Sequence, residues 1–92
     1  MFPSDDLQPI TIVLPLLYKD MVKGKIKLWY VEEEPPTLVQ PGQQLLSIET
    51  EVRVYSIPVP PTITVPYRVK QLFKRAGDEV AVGEDLVLLE PA

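Results

Sequence analysis

Residues 26–49, IKLWYVEEEPPTLVQPGQQLLSIE, and residues 69–90, VKQLFKRAGDEVAVGEDLVLLE, are two imperfect copies of one pattern. The first parts of the copies align at an offset of 43 residues (26 to 69) and the later parts at an offset of 41 (49 to 90). The matched pairs are Ile26/Val69, Lys27/Lys70, Trp29/Leu72, Tyr30/Phe73, Val39/Val80, Gly42/Gly83, Leu45/Leu86, Ile48/Leu89 and Glu49/Glu90. Such a repeat predicts one domain with approximate two-fold symmetry, because neither copy could bury its apolar face alone.

The apolar segments of the chain, within the repeat and outside it, are short and β-rich. Eleven prolines interrupt every pattern with helical spacing. Strands are predicted at residues 10–14, 26–31, 45–48, 52–57, 63–65, 69–73 and 86–89. The sequence therefore predicts an all-β fold, a small barrel or sandwich whose halves are residues 9–50 and 51–92.

Length and composition limit what this domain can do. The 92 residues predict a single domain, 1–92, with residues 1–8 as a flexible N-terminus. The formal charge is −4 and the basic residues are scattered, which argues against a nucleic-acid partner. Cysteine and histidine are both absent, which excludes thiolate chemistry and leaves carboxylates as the only side chains for a metal. We expect neither a metal nor enzymatic activity.

The N-terminal residues argue against export and membrane insertion. The first six residues are acidic where a secretory signal is basic. The most apolar early run, residues 10–17, is broken by Pro15 and is far shorter than the roughly 20 residues of a membrane helix. We expect a cytoplasmic protein with no membrane partner.

Two groups of residues resemble catalytic or metal sites only superficially. Ser4, Ser47 and Ser56 have no histidine or other evident base to activate them. Adjacent side chains of Glu32 and Glu33 would alternate faces on a strand and could not converge on a cation.

The layout resembles the lipoyl/biotinyl carrier domain, most closely the lipoyl domain of 2-oxoacid dehydrogenase acyltransferases. The residues that carry the resemblance are Leu14, Pro15, Met21, Gly24, Ile26, Trp29, Val31, Gly42, Gln43, Leu45, Ile48, Glu49, Thr50, Glu51, Gly77, Asp78, Val80, Gly83 and Leu86. The resemblance implies a flattened β-barrel or sandwich of two four-stranded sheets, a barrel-sandwich hybrid. It also implies a lysine at the tip of the hairpin between the halves, to which lipoate or biotin would be attached.

The hairpin in this chain reads Glu49-Thr50-Glu51-Val52-Arg53, which puts Val52 at the attachment position. Lipoate and biotin attach through an amide to a primary amine, which valine lacks. Arg53 is no substitute, because its guanidinium stays protonated and delocalised. We therefore expect no cofactor, with Glu49, Thr50, Glu51 and Arg53 flanking a vacant position.

The loops depart from the family pattern in three further places. Tyr18 stands where a glycine is usual, residues 34–37 replace a glycine-aspartate turn, and residues 57–67 form a longer, proline-rich segment without glycine. The prolines from Pro58 to Pro66 have two interpretations: they are an edge guard that stops a sheet edge from pairing with another chain, or they are a ligand for a proline-recognising groove. The first interpretation is favoured. Trp29 is expected to pack against the core, since it matches Leu72 in the repeat.

The first functional expectation is a non-catalytic module that binds another protein, such as a component of a 2-oxoacid dehydrogenase complex or a lipoate or biotin ligase. A first alternative is a lipoyl or biotin carrier of a 2-oxoacid dehydrogenase or carboxylase system. It would be modified at another lysine, or Val52 would replace a lysine through engineering. A second alternative is a structural spacer like the lipoyl-type domains of membrane-fusion adaptors. The Glu49-Thr50-Glu51 segment is either a recognition surface or a solvated hairpin end.

Overall fold

The computed structural model describes residues 8–61 and 63–92. These residues form eight strands and no helix, and so no helix long and apolar enough to cross a membrane. The strands are β1 (Ile10–Val13), β2 (Lys23–Trp29), β3 (Leu38–Val39), β4 (Gln44–Glu49), β5 (Val54–Pro58), β6 (Tyr67–Leu72), β7 (Glu79–Ala81) and β8 (Asp85–Pro91). The expected flexible segment and Ser4 lie outside the described residues, apart from Gln8.

The strands form two four-stranded antiparallel sheets, with the orders β1-β8-β6-β3 and β5-β4-β2-β7. Exchanging each strand of one half for its counterpart four places along the chain converts one sheet into the other. The all-β class, the two four-stranded sheets and the quasi-two-fold symmetry are therefore confirmed. No ladder joins the two sheets among the described residues, so the arrangement is sandwich-like.

The symmetry extends to irregularities in the ladders. The β2–β4 register shifts between Ile26 and Leu28, and the β6–β8 register shifts between Val69 and Gln71. These positions match at the offset of 43 seen in the sequence. A bulge bends a strand and increases its twist, so both sheets are curved at equivalent places and enclose the same core.

One apolar cluster fills the space between the sheets. Its central members come from β4 and β8, in which Leu45, Leu46, Ile48, Leu86, Val87 and Leu89 are completely buried. Trp29 packs against this cluster in a half-buried position, and its Nε1 donates a hydrogen bond to the Lys74 carbonyl oxygen at 3.1 Å. The expectation that Trp29 is a packing residue is confirmed.

Several predicted strand boundaries are wrong. Residues 63–65 are not a strand, although Ile63 is buried. Pro60, Pro61 and Pro66 have no N–H to donate to a ladder, and Ile63 N donates instead to the Pro60 carbonyl oxygen at 3.2 Å. β5 begins at Val54, and the short strands β3 and β7 were not predicted.

Proline lies on an edge strand, as the guard interpretation requires. β5 is at the edge of its sheet and ends at Pro58. Proline is tolerated on an edge because the missing donor then faces away from the neighbouring strand. This placement favours the edge-guard interpretation over a ligand for a proline-recognising groove.

A charged cluster crosses the ladder between β8 and β6, the two central strands of their sheet. The Glu90 carboxylate accepts a hydrogen bond from Arg68 Nε at 2.6 Å and lies 3.4 Å from Lys70 Nζ. The hydrogen bond from Arg68 lowers the pKa of the Glu90 carboxyl below its ordinary value. Because this shift favours the charged form in the folded state, it stabilises the fold only where an unfolded glutamate is ionised.

We predict that Gly24→Ala lowers the free energy of unfolding by about 1–3 kcal/mol. A Cβ at Gly24 would lie 2.5 Å from Cγ2 of Ile48, a branched side chain that is completely buried in the core. Urea denaturation measures the change. Lys25→Ala, at an exposed position on the same strand, is the control, and equal stability of the two variants would contradict the prediction.

We predict that Glu90→Gln lowers stability at neutral pH and that its difference from the original chain shrinks in acid. The Glu90 contribution is present above the unfolded glutamate pKa of about 4.3 and is lost as the pH falls through the lowered folded pKa. Urea midpoints between pH 7 and pH 3 measure this. Glu51→Gln controls for loss of an exposed carboxylate, and a Glu90→Gln difference that does not change with pH would contradict the prediction.

Candidate functional site

The hairpin between the halves closes at residues 50–53, here called the tip. Glu49, the last residue of β4, pairs with Val54, the first residue of β5. The Thr50 hydroxyl donates to the Arg53 carbonyl oxygen at 2.7 Å and accepts the Val52 and Arg53 N–H groups, each at 3.1 Å. Thr50 N also donates to the Arg53 carbonyl oxygen at 3.1 Å. The hydroxyl and the backbone N–H of Thr50 therefore close the turn together.

This turn presents Val52 to solvent. Its side chain is 56% exposed, so burial does not explain an apolar residue here. None of the four tip residues carries a primary amine, and amide attachment of lipoate or biotin requires one. The residues at the tip do not fit either cofactor.

An aromatic stack lies beside the tip. The Tyr18 and Tyr55 rings are stacked with centroids 6.1 Å apart and planes 19° apart, and the Arg53 guanidinium carbon lies 5.8 Å from the Tyr55 centroid. Tyr18 begins a turn in which Met21 N donates to its carbonyl oxygen at 3.1 Å. Asp20 within that turn has a φ of 66°, which aspartate tolerates better than most residues. Tyr18 thus contacts the same hairpin that carries Val52.

The fold brings lysines to the tip that sequence reasoning missed. Lys25 on β2 is the pairing partner of Glu49 on β4. Lys23 and Lys25 line a depression together with Glu49, Thr50 and Glu51. A strand register is needed to see this, because these lysines precede the tip by more than twenty residues. Lysines alternate with Gly24 and Ile26, which are buried. This alternation was the sequence signal that could have placed the lysines on the exposed face of the strand.

The other residues singled out in the sequence and described in the structure are Glu32, Glu33, Glu34, Ser47 and Ser56. Glu32, Glu33 and Glu34 are exposed, and Glu33 Oε2 accepts the Leu72 N–H at 2.6 Å. Within residues 8–61 and 63–92, no group of three or more acidic side chains could hold a metal ion. The Ser47 hydroxyl is buried and lies 2.8 Å from the Tyr30 hydroxyl, whereas Ser56 is exposed.

We predict that Thr50→Ala lowers the free energy of unfolding by about 1 kcal/mol and loosens the tip. The substitution removes all three hydrogen bonds of the hydroxyl while leaving Val52 and Arg53 in place. Urea denaturation and amide hydrogen exchange at Val52 and Arg53 measure the two effects. Thr50→Ser keeps the hydroxyl and is the matched control, so equal exchange rates in the two variants would contradict the prediction.

Comparison with known proteins provides no family for this chain, since no family model matches it and no curated protein matches it.

Proposed function

We propose that this chain is a lipoyl-type domain without an attachment lysine, and that it acts without catalysis by binding another protein through the tip. The single observation that carries the proposal is the exposed Val52 at the centre of a hydrogen-bonded turn without an amine. A carrier would place its reactive group at such a turn. Here the turn offers an apolar contact instead.

Exposed valines around the tip support protein binding. Val22, Val52 and Val54 are 72%, 56% and 44% exposed. Val22 lines a depression with Tyr18, Lys19 and Glu51, so this valine lies between a tip residue and the aromatic stack. Clustered apolar side chains bordered by polar ones are typical of protein-interaction surfaces.

The charges at this end of the molecule are balanced. The residues on or beside the tip include four basic side chains and four acidic ones. The basic residues are Lys19, Lys23, Lys25 and Arg53, and the acidic residues are Asp20, Glu49, Glu51 and Glu79. A partner could form ion pairs with both basic and acidic side chains around the apolar centre of this surface. The surface has no strong electrostatic potential of one sign. A component of a 2-oxoacid dehydrogenase complex or a lipoate or biotin ligase is the partner we propose.

The depression beside the tip favours a second candidate, a carrier modified at another lysine. Lys23 and Lys25 lie there, and Lys25 is exposed and directly opposite Glu49. Lys23 Nζ lies 3.4 Å from Glu79 Oε2 in an ion pair, whereas no ion pair involves Lys25 in the described part of the chain. Lys25 is therefore the preferred acceptor for this candidate.

We predict that co-expression with lipoate and biotin ligases leaves the original chain unmodified, whereas Val52→Lys gains one cofactor. The substitution puts a primary amine on the exposed tip without disturbing the core. Intact-protein mass spectrometry measures the added group. Val54→Lys, which places lysine on the same hairpin but within β5, is the matched control and should stay unmodified.

The other outcomes decide between the candidates. Modification of the original chain, mapped to Lys25 or Lys23 by peptide mass spectrometry, would replace the first candidate by the second. Failure of Val52→Lys to gain a cofactor, with its fold intact, would count against a lipoyl-type tip.

A separate experiment tests binding of the partner. Val52→Asp should abolish binding to a purified dehydrogenase component or ligase, measured by calorimetry, while Thr64→Asp should not.

A further inference from the structure

A groove of about 350 Å³ runs between β1 and β5, the adjacent edge strands of the two sheets. Its apolar walls are formed by Ile10, Ile12, Leu17, Ile57, Pro58 and Pro60, and its polar side chains are the hydroxyl groups of Thr11 and Ser56. No charged residue lines it, although 24% of the residues in the chain are charged. The groove therefore suits an occupant that is apolar and uncharged where it is enclosed.

The two walls are equivalent under the quasi-two-fold symmetry. Leu14, just after β1, donates to the Glu84 carbonyl oxygen at 3.0 Å and accepts from Gly83 N at 2.8 Å. Val59, just after β5, donates to the Gln43 carbonyl oxygen at 2.7 Å and accepts from Gly42 N at 3.0 Å. These bonds match at an offset of 45 residues (14 to 59), so Thr11 corresponds to Ser56 and Val13 to Pro58.

This correspondence identifies the backbone groups at the outer edges of β1 and β5, which pair with no further strand among the described residues. Along a strand of an antiparallel ladder, the backbone N–H and C=O groups of successive residues point alternately to one side of the strand and to the other. Since Leu14 bonds toward β8, Thr11 and Val13 direct their N–H and C=O groups to the open edge. On β5 the same positions are Ser56 and Pro58, and Pro58 has no N–H. The symmetry is thus broken: β1 keeps a donor that β5 has lost.

We infer that the free edge of β1 binds an extended, uncharged apolar segment of a partner protein by β-strand addition, with alternate side chains entering the groove between β1 and β5. Main-chain hydrogen bonds would fix the added strand, and the groove would select its side chains. A peptide fits better than a hydrocarbon chain, because only a peptide can pair with the Thr11 and Val13 backbone groups. This surface is distinct from the tip, so the inference goes beyond the proposed function.

The direct test is a nuclear magnetic resonance titration of the full, ¹⁵N-labelled chain with the peptide acetyl-Thr-Val-Thr-Val-Thr-Val-amide. We expect saturable shifts of the Thr11 and Val13 amides and of the groove residues. The same peptide N-methylated at every residue lacks the backbone N–H donors that strand pairing requires and should bind at least about tenfold more weakly. Absence of saturable shifts, or shifts confined to other strand edges or to the tip, would overturn the inference.

Two variants test the edge and the groove separately. Val13→Pro removes the edge donor by copying the residue that the chain itself has at the equivalent position, and it should weaken binding about tenfold. Thr11→Lys leaves the β1 backbone intact but adds a charge to the uncharged groove, and it should weaken binding to a similar extent. Thr64→Lys, an exposed threonine outside the groove, should bind like the original chain. Unchanged affinity in the folded Thr11→Lys variant would refute the role of the groove.

Hydrogen exchange of the free chain tests the other possible occupants. We expect the Thr11 and Val13 amides to exchange rapidly at every protein concentration. Slow exchange that is independent of concentration would mean that another part of this chain covers the edge, and slow exchange that increases with concentration would mean that a second copy does. Either result would overturn the inference, and neither would alter the cofactor experiment at Val52.

Discussion

Burial of one shared apolar layer is the constraint on which the rest of the structure depends. Each sheet takes two strands from each half of the chain, so neither half has a complete sheet of its own. The side chains of β4 and β8 that face the opposite sheet are completely buried. Removing one half would expose most of this layer, and the loss would exceed what the hydrogen bonds of a single half could offset. The interleaving of the halves therefore follows from the short apolar segments of the sequence.

The repeat in the sequence predicted one shared core with approximate two-fold symmetry, because repeated apolar positions mark the inward-facing residues of both halves. The two four-stranded sheets were implied only by the family resemblance. Matches such as Leu45 with Leu86 are equivalent core positions in the structure. The failures have local causes. Strands β3 and β7 have only two and three residues, too few for a pattern with a period of two to be visible. Residues 63–65 are β-rich in composition, but the prolines around them remove the donors that a ladder needs.

The site was only partly predictable for a different reason. Val52 and its neighbours could be found from the sequence, because they occupy one continuous hairpin. The Tyr18–Tyr55 stack and the lysines beside the tip join residues far apart in the chain, and their contacts depend on the β2–β4 and β4–β5 registers. A one-residue change of register would move every side chain of a strand to the other face. Composition and spacing do not determine a register with that accuracy.

Differences between the halves are most informative where packing does not require them. A core position has to be filled in both halves, so the symmetry of the buried residues says little about function. Pro58 on β5 occupies the position that is equivalent to Val13 on β1. This difference lies at the surface, and it changes which of the two strand edges can accept an added strand. The tip and the groove are connected by β5, since this strand begins at Val54, next to the tip, and its Ser56 lines the groove. Three residue steps separate Arg53 from Ser56, about 10 Å at 3.3 Å per residue. One partner that contacts both surfaces would bind the second as an intramolecular step, so two weak contacts would be enough for stable binding.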